Sequence, residues 1–420
     1  MVLDNKLYTT IGLMSGTSKD GIDVACIKTD GISKIEECGA ASYDYTITEK
    51  RLLNLAEFVV YKADGDLDKA NNQFKDRIEE FRTVEGLNQK QLTELFKYLE
   101  QRNLKLSLTD IEELSTELHI EAVNKFLVAN NQKASEIDLI GYHGQTVFHR
   151  PALGITIQLG NAKRFAKTLG VKTVYNFRQA DVAAGGEGAP FAPIYHQVKA
   201  KLDHLAPCIV LNCGGISNLT AVGKELIAFD SGPGNCLVDK FVQKHFNQNF
   251  DLDGKLGLKG KVHDDLLPDL AEKTIKFKGS YLKKLPPKSL DVRDCVIPNE
   301  IFDLDPHDAC ATLEALTAYF ISESLQHLPE VPVNWIFAGG GRRNPVITRE
   351  LNLRLKSKIP ALSLQNADEI GWNGDGLEAQ IFAFLAVRTI KKLPLSFPGT
   401  TGVNTALTGG KIVNTAGELC

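Results

Sequence analysis

A chain of 420 residues, 43% hydrophobic and 24% charged, has an ordinary globular composition and enough length for two cores, since single cores stop growing well below this size. Its formal charge of -4 gives no drive toward nucleic acid, and no run of eighteen apolar residues offers a membrane span. The start "MVLDNKLYTT" lacks the apolar centre of a signal peptide, so a cytoplasmic protein without nucleic-acid or membrane partners is expected.

The first element in chain order is "TTIGLMSGTSKDGIDVACIKTDG", Thr9 to Gly31. Ile22, Val24 and Cys26 alternate with Asp23, Ala25 and Ile27, a strand period, and Asp20-Gly21 is a turn signal because glycine accepts positive φ without steric cost. The turn Ser15–Gly21 therefore joins two strands. It opens no helix, which excludes a Walker loop and a dinucleotide fingerprint, and without a Walker position Lys19 reads as a solvated loop charge. Residues 45–130 space Leu, Phe, Ile and Val at three and four with charge between, the pattern of a helical scaffold or substrate-side flap with no chemical constellation of its own. Ile137, Leu139 and Ile140 predict a short buried strand, with Gly141 to Thr146 as the loop at its end. "GITIQLG" and "VKTVYNF" repeat the strand pattern, with a helix over 162–169 between them.

The densest stretch is "NFRQADVAAGGEGAPFAPIYH", Asn176 to His196. Phosphoryl transfer needs an acceptor oxygen held in line, a carboxylate for its proton and positive charge for the transferring group. Asp181 can be that base and Arg178 that clamp. On spacing alone a structural Arg178–Asp181 pair beside a helix start is equally consistent. The second half restarts with "CIVLNCGGISNLTAVG" and "ELIAFDSGPGN", an echo of the opening hairpin, and its Cys208 and Cys213 read as buried strand thiols because no C-x-x-C pair exists. Helical patterns at 235–245 and 308–325, the strand and turn "VNWIFAGGGRRN" and the helix "GDGLEAQIFAFLAVRTI" complete the chain. Glycine-bearing loops at 15–21, 141–146, 213–218, 231–235 and 339–341 each follow an apolar strand, where amides can converge on an anion without Cβ interference. Asp20, Asp23 and Asp230 are the carboxylates suited to Mg2+, with Asp239 and Asp375 as weaker candidates.

With "GLMSGTSKDGIDVA", "GYHGQTVFH", "FRQADVAAGGEGAP", "LNCGGISNLT", "FDSGPGN", "PPKS", "DACATLEALTA", "AGGGRRN" and "GDGLEAQIFAFLA" in the family's order, the sequence resembles the anhydro-N-acetylmuramic acid kinases. The resemblance implies an α/β, two-lobed actin-like ATPase, a ribonuclease H-like duplication with a nucleotide cleft between lobes over 1–205 and 206–420 and a final helix able to cross back to the first lobe. It implies ATP with Mg2+ as cofactors, 1,6-anhydro-N-acetylmuramic acid and water as substrates, N-acetylmuramate 6-phosphate as product and a homodimer. By motif, Gly16, Thr17, Ser18, Lys19, Asp20, Gly21, Ile22 and Asp23 would contact the phosphates. Gly214, Gly215, Asn218, Gly232, Gly234 and Asn235 would complete the phosphate side, and Gly339, Gly340 and Gly341 would lie by the adenosine. Asp181 matches the catalytic aspartate, with Arg178 in its pocket, and His143, Gly144, Gln145, Thr146 and Glu187 fall on the sugar side. Asn176, Glu187, Asn161 and "KSLDVRD" depart from the common pattern, and the helical block exceeds the family's usual one. A kinase of another sugar, or a non-catalytic ATP switch on the same fold, are the competing readings.

Overall fold

The computed structural model describes residues 6–16 and 19–420. The chain forms two compact units, one of residues 1–188, 376–397 and 403–420, the other of residues 189–375 and 398–402. The boundary expected at 205/206 thus falls at 188/189, because the helix Pro193–Leu202 packs on strands of the second sheet. Among the described residues no helix is long and apolar enough to cross a membrane.

The first unit is built on β1 (Tyr8–Ser15), β2 (Gly21–Thr29), β3 (Ile35–Asp44), β4 (Leu139–Arg150), β5 (Ile155–Leu159) and β6 (Thr173–Tyr175), with a C-terminal strand Lys411–Val413 on the edge. The order runs Lys411–Val413, β6, β4, β1, β2, β3, with β5 paired to β4. β1, β2 and β3 form an antiparallel meander, while β4 runs parallel to β1 and β6 parallel to β4. Gly141 to Thr146 is not a loop at a strand end but lies inside β4, since this stretch pairs with β1, β6 and β5 in turn. The helix Leu377–Ile390 lies directly on the middle of the sheet. Its approach requires glycine on both strands: a Cβ on Gly12 would sit 1.9 Å from Ala379 O, and one on Gly141 2.1 Å from Phe382 O. Four helices, Ile47–Lys62, Leu67–Val84, Gln89–Gln101 and Leu108–Ala129, fill the expected helical block. Thr46, Asp66, Asn88 and Ser107 cap them by accepting first-turn amides, and Leu52, Leu55, Phe74, Leu95, Ile111 and Phe126 join the sheet residues Ile11, Leu13 and Val24 in one core.

The second unit is built on β7 (Cys208–Cys213), β8 (Ile216–Val222), β9 (Leu226–Pro233), β10 (Asn334–Ala338) and β11 (Ser363–Asn366). Their order is β11, β10, β7, β8, β9, with an antiparallel β7–β8–β9 meander and parallel β7–β10–β11 pairs. This repeats the order and sense of β6, β4, β1, β2, β3. Cys208 and Cys213 are buried thiols, as their strand pattern predicts.

Candidate active site

The chain leaves β6 at Asn176, whose φ of 54° lies in the left-handed region that short polar side chains tolerate, and enters the short helix Gln179–Ala183. Asp181 on that helix is 1% exposed, and its Oδ1 accepts the Gly188 amide at 2.7 Å. The returning turn passes so close that a Cβ on Gly186 would lie 2.3 Å from the same oxygen. Arg178 donates from Nη1 to the Gly188 carbonyl at 2.7 Å and from Nε to His143 Nε2 at 3.0 Å, with its guanidinium 5.9 Å above the Phe382 ring. Gly188 is thus gripped at its amide by Asp181 and at its carbonyl by Arg178. The Glu187 carbonyl accepts from His149 Nε2 at 3.1 Å, and His149 Nδ1 meets Thr156 Oγ1 at 3.0 Å.

His143, Gly144, Gln145 and Thr146 come from the body of β4. His143 is buried and donates from Nδ1 to Gly144 O at 2.7 Å, and burial, with Arg178 adding to it, holds the imidazole well below its usual range and therefore neutral. Gln145, also buried, donates to Gly16 O at 3.1 Å, tying β4 to the first hairpin, and the Thr146 hydroxyl accepts from Gln158.

In the first hairpin Lys19 is not a solvated charge. Its side chain is 4% exposed and pairs at 2.5 Å with Glu57 of the helix Ile47–Lys62, and its backbone takes a positive φ of 54°. Asp20 is exposed and pairs with Lys50 at 2.8 Å, Asp23 accepts from Ser42 across the β2–β3 ladder, and Ile22 is core. Gly21 is packed so that a Cβ would lie 2.5 Å from Tyr43 O. Thr17 and Ser18 lie outside the described residues. The helical block does carry polar groups that reach the first hairpin and that its periodicity hid: besides Glu57, His119 places Nε2 3.2 Å from Ser15 Oγ at the end of β1 while its Nδ1 donates to Ser115 O at 2.7 Å. A histidine or glutamate inside an amphipathic repeat has no sequence mark separating it from a solvated face.

In the second unit three glycine turns converge. Gly234, Asn235 and Cys236 donate their amides to the carbonyls of Gly215, Gly214 and Gly215 at 2.9, 2.8 and 3.2 Å. A Cβ on Gly339 would lie 2.5 Å from Asn212 Oδ1, one on Gly340 3.6 Å from Asn235 Nδ2 and one on Gly341 2.5 Å from Cys213 Sγ. Thr317 caps the Gly234 carbonyl at 2.8 Å, and a Cβ on Gly232 would meet the Phe320 ring. Asn218 pairs in register with Asn212 and Asp230. Three amides of the 232–236 turn are therefore spent inside the unit, which locates any anion contact there on the remaining groups.

The carboxylates proposed for Mg2+ do not form a ready-made cage: among the described residues no three His, Cys, Asp or Glu side chains cluster as metal ligands. Asp230 Oδ2 accepts the Leu290 amide at 2.8 Å and its backbone pairs with Lys288, while Asp375 bonds Arg342 and Arg343. Hard carboxylate oxygens in ones and twos still fit magnesium, which keeps waters and shares phosphate oxygens rather than filling an all-protein cage.

The family described as Anhydro-N-acetylmuramic acid kinase matches residues 66–415. Curated proteins named anhydro-N-acetylmuramic acid kinase are similar over nearly the whole length. One from Rhodopseudomonas palustris (strain HaA2) is 39% identical over 408 residues, 96% of this chain and 98% of its own. One from Nitrobacter winogradskyi is 38% identical over 414 residues, 97% of this chain and 99% of its own, and one from Bradyrhizobium diazoefficiens 37% identical over 411 residues with the same coverage.

Proposed function

The chain belongs to the anhydro-N-acetylmuramic acid kinase family, and from that premise we propose how its residues perform the ATP-dependent phosphorylation of 1,6-anhydro-N-acetylmuramic acid that this membership assigns to it in peptidoglycan recycling. Asp181 takes a proton from water as the water oxygen bonds to C1. The C1–O6 bond breaks, and the electron pair left on O6 attacks the γ-phosphorus as the bond to the ADP oxygen breaks, giving N-acetylmuramate 6-phosphate. Arg178 steadies the negative charge passing through the phosphoryl group, and removal of such a charge-assisted contact is worth on the order of 2–5 kcal/mol when buried.

The observation that carries this reading is a carboxylate 1% exposed, aimed by one backbone amide, on the same loop as an arginine pinned by two acceptors. A general base must be held in one rotamer before the substrate arrives, and this loop holds it. Gly144, Gln145, Thr146 and Glu187 form the sugar side. Gly16 to Asp23, including Thr17 and Ser18, with Gly214, Gly215, Asn218, Gly232, Gly234 and Asn235, serve the phosphates, and Gly339 to Gly341 the adenosine. Asp20, Asp23 and Asp230 would hold Mg2+, which when bound offsets phosphate charge. The strand order repeated in the two sheets supports reading the units as the lobes of an actin-like, ribonuclease H-like duplication. ATP as donor supports a cytoplasmic site of action, and a homodimer is tested by light scattering.

The deciding experiment runs a single turnover in oxygen-18 water with 1,6-anhydro-N-acetylmuramic acid. Heavy oxygen is expected on C1 of the product and none in the phosphate; label in the phosphate would mean that water attacks phosphorus. A parallel ADP-release assay with N-acetylmuramic acid, N-acetylglucosamine and glucose should give slower rates for all three, and an equal rate on glucose would favour a general sugar kinase.

A further inference from the structure

We infer that His143 is a positioning residue for Arg178: its Nε2, kept as a neutral acceptor, fixes the guanidinium against the Gly188 carbonyl, and the imidazole acts on the reaction through Arg178 rather than by touching the sugar. The inference rests on the reading of Arg178 as the phosphoryl clamp and replaces the sugar-contact role expected of His143. His143 is 3% exposed within β4. Its Nδ1 lies 2.7 Å from the Gly144 carbonyl, which can only accept, so the ring proton sits on Nδ1 and the Nε2 lone pair faces the Arg178 Nε–H at 3.0 Å. The Gly144 carbonyl also lies 3.3 Å from Ser15 Oγ, whose single proton goes either to that carbonyl or to His119 Nε2 at 3.2 Å. The ring packs 4.5 Å from Phe382, the same ring that lies under the Arg178 guanidinium and 5.2 Å from Phe177. Both ring nitrogens are thus engaged by protein and one face is covered.

A second proton would turn the acceptor into a donor facing another donor. The charged and titratable groups acting on this ring are Arg178, His119 and His149, all of which oppose that proton, in the same direction as burial. The site is therefore built to keep one tautomer, and that tautomer sets the orientation of the fork that holds Gly188.

The test uses the full-length chain. In protein labelled with 15N-histidine, the His143 resonances, identified by their loss in H143Q, should report a neutral ring protonated on Nδ1 throughout pH 6–8.5; an Nε2-protonated ring or an imidazolium at pH 7 would overturn the inference. H143L should lower kcat/KM about 10–100-fold with an unchanged melting temperature, the scale of coupling between residues in direct contact, while H143Q, which keeps an acceptor oxygen near the Nε2 position, recovers most of it. In an R178A background the same His143 changes should alter the rate by less than about twofold, because they have nothing left to orient. If the losses multiply instead, His143 acts independently and the inference fails while the role of Arg178 stands. R178A at the parental kcat and KM would defeat the role of Arg178 itself. Should H143L not fold, H143A takes its place in the cycle with R178A: a loss in H143A that vanishes in the R178A background supports the proposal, and one that persists undiminished there overturns it.

Discussion

The two sheets share strand order and sense, yet the loops after β6 and β11 are built differently. After β6 the chain makes a short helix, buries Asp181 to 1% exposure and folds Gly188 back onto it. After β11 it makes a turn whose Asp368 and Asp375 side chains stay 49% and 48% exposed and share the guanidinium of Arg342, whose own side chain is 1% exposed. In the first loop the carboxylate is buried and aimed; in the second the arginine is buried and the carboxylates sit at the rim. A shared sheet thus supplies two comparable platforms, and the glycines and the helix that follow decide which one can hold a base.

The largest effect that separates the loops is expected at Asp181. Asn keeps its shape and can still accept the Gly188 amide but cannot take a proton, so D181N should fold with parental stability and bind ATP and sugar normally while kcat falls by roughly two to four orders of magnitude. A structural Arg178–Asp181 pair predicts the reverse: lost stability and retained turnover per folded molecule. Melting temperature, calorimetric binding and product formation on one preparation decide. Next in size is R178A, expected to lose on the order of 2–5 kcal/mol of transition-state binding; unchanged kcat and KM would remove the clamp from the mechanism.

A third, smaller effect should fall on both units alike. His119 in the first is pushed down to about 4 and His196 in the second to about 3, each by burial, so both are neutral in the folded protein at pH 7. With the unfolded value near 6.5, the unfolded chain binds more protons below that pH. The stability is complete above about 6.5 and is lost as pH falls toward the folded values, at up to about 2 kcal/mol per histidine between pH 6.5 and 5. Urea melts at these pH values should show that fall, and H119Q and H196Q should each flatten it. A pH-independent midpoint would mean that these rings gain protons without cost.

The sheets were legible in the sequence where apolar residues alternate, at β2, and where they run together, at β7 and β10, and Arg178 and Asp181 stood out as a cation and a carboxylate three residues apart in a glycine-rich stretch. Gly141–Thr146 was misread as a loop because Gly141 and Gly144 are turn residues, while the strand pairing of this stretch comes from neighbours far away in the chain. Lys19 failed for a related reason: its partner Glu57 lies 38 residues on, on a helix whose pattern marks only its apolar face. Buried polar contacts between distant segments have no local period to betray them, and the site is made mostly of such contacts.

The smallest expected effect, at Asp368, tests the comparison most directly. Asp368 Oδ2 accepts from Arg342 Nε at 2.8 Å and Oδ1 accepts the Gly374 amide at 3.1 Å, while Asp375 takes Arg342 Nη2 at 3.0 Å. D368N keeps an acceptor for either donor and leaves Asp375 to balance the guanidinium, and half-exposed carboxylates contribute little, so the cost should be about 0.2–1 kcal/mol in urea melts with kcat unchanged. D375N should behave alike. The double variant is different in kind, because Arg342 would then be a buried cation without either of these carboxylates, and its cost should exceed the sum of the singles by about 0.5–3 kcal/mol. That excess in stability, with turnover intact, is the signature of a loop whose carboxylates serve its own arginine. Simple additivity would show that the two acids do not share Arg342, and a fall in kcat for D368N comparable with that of D181N would show that burial is not what separates the two platforms.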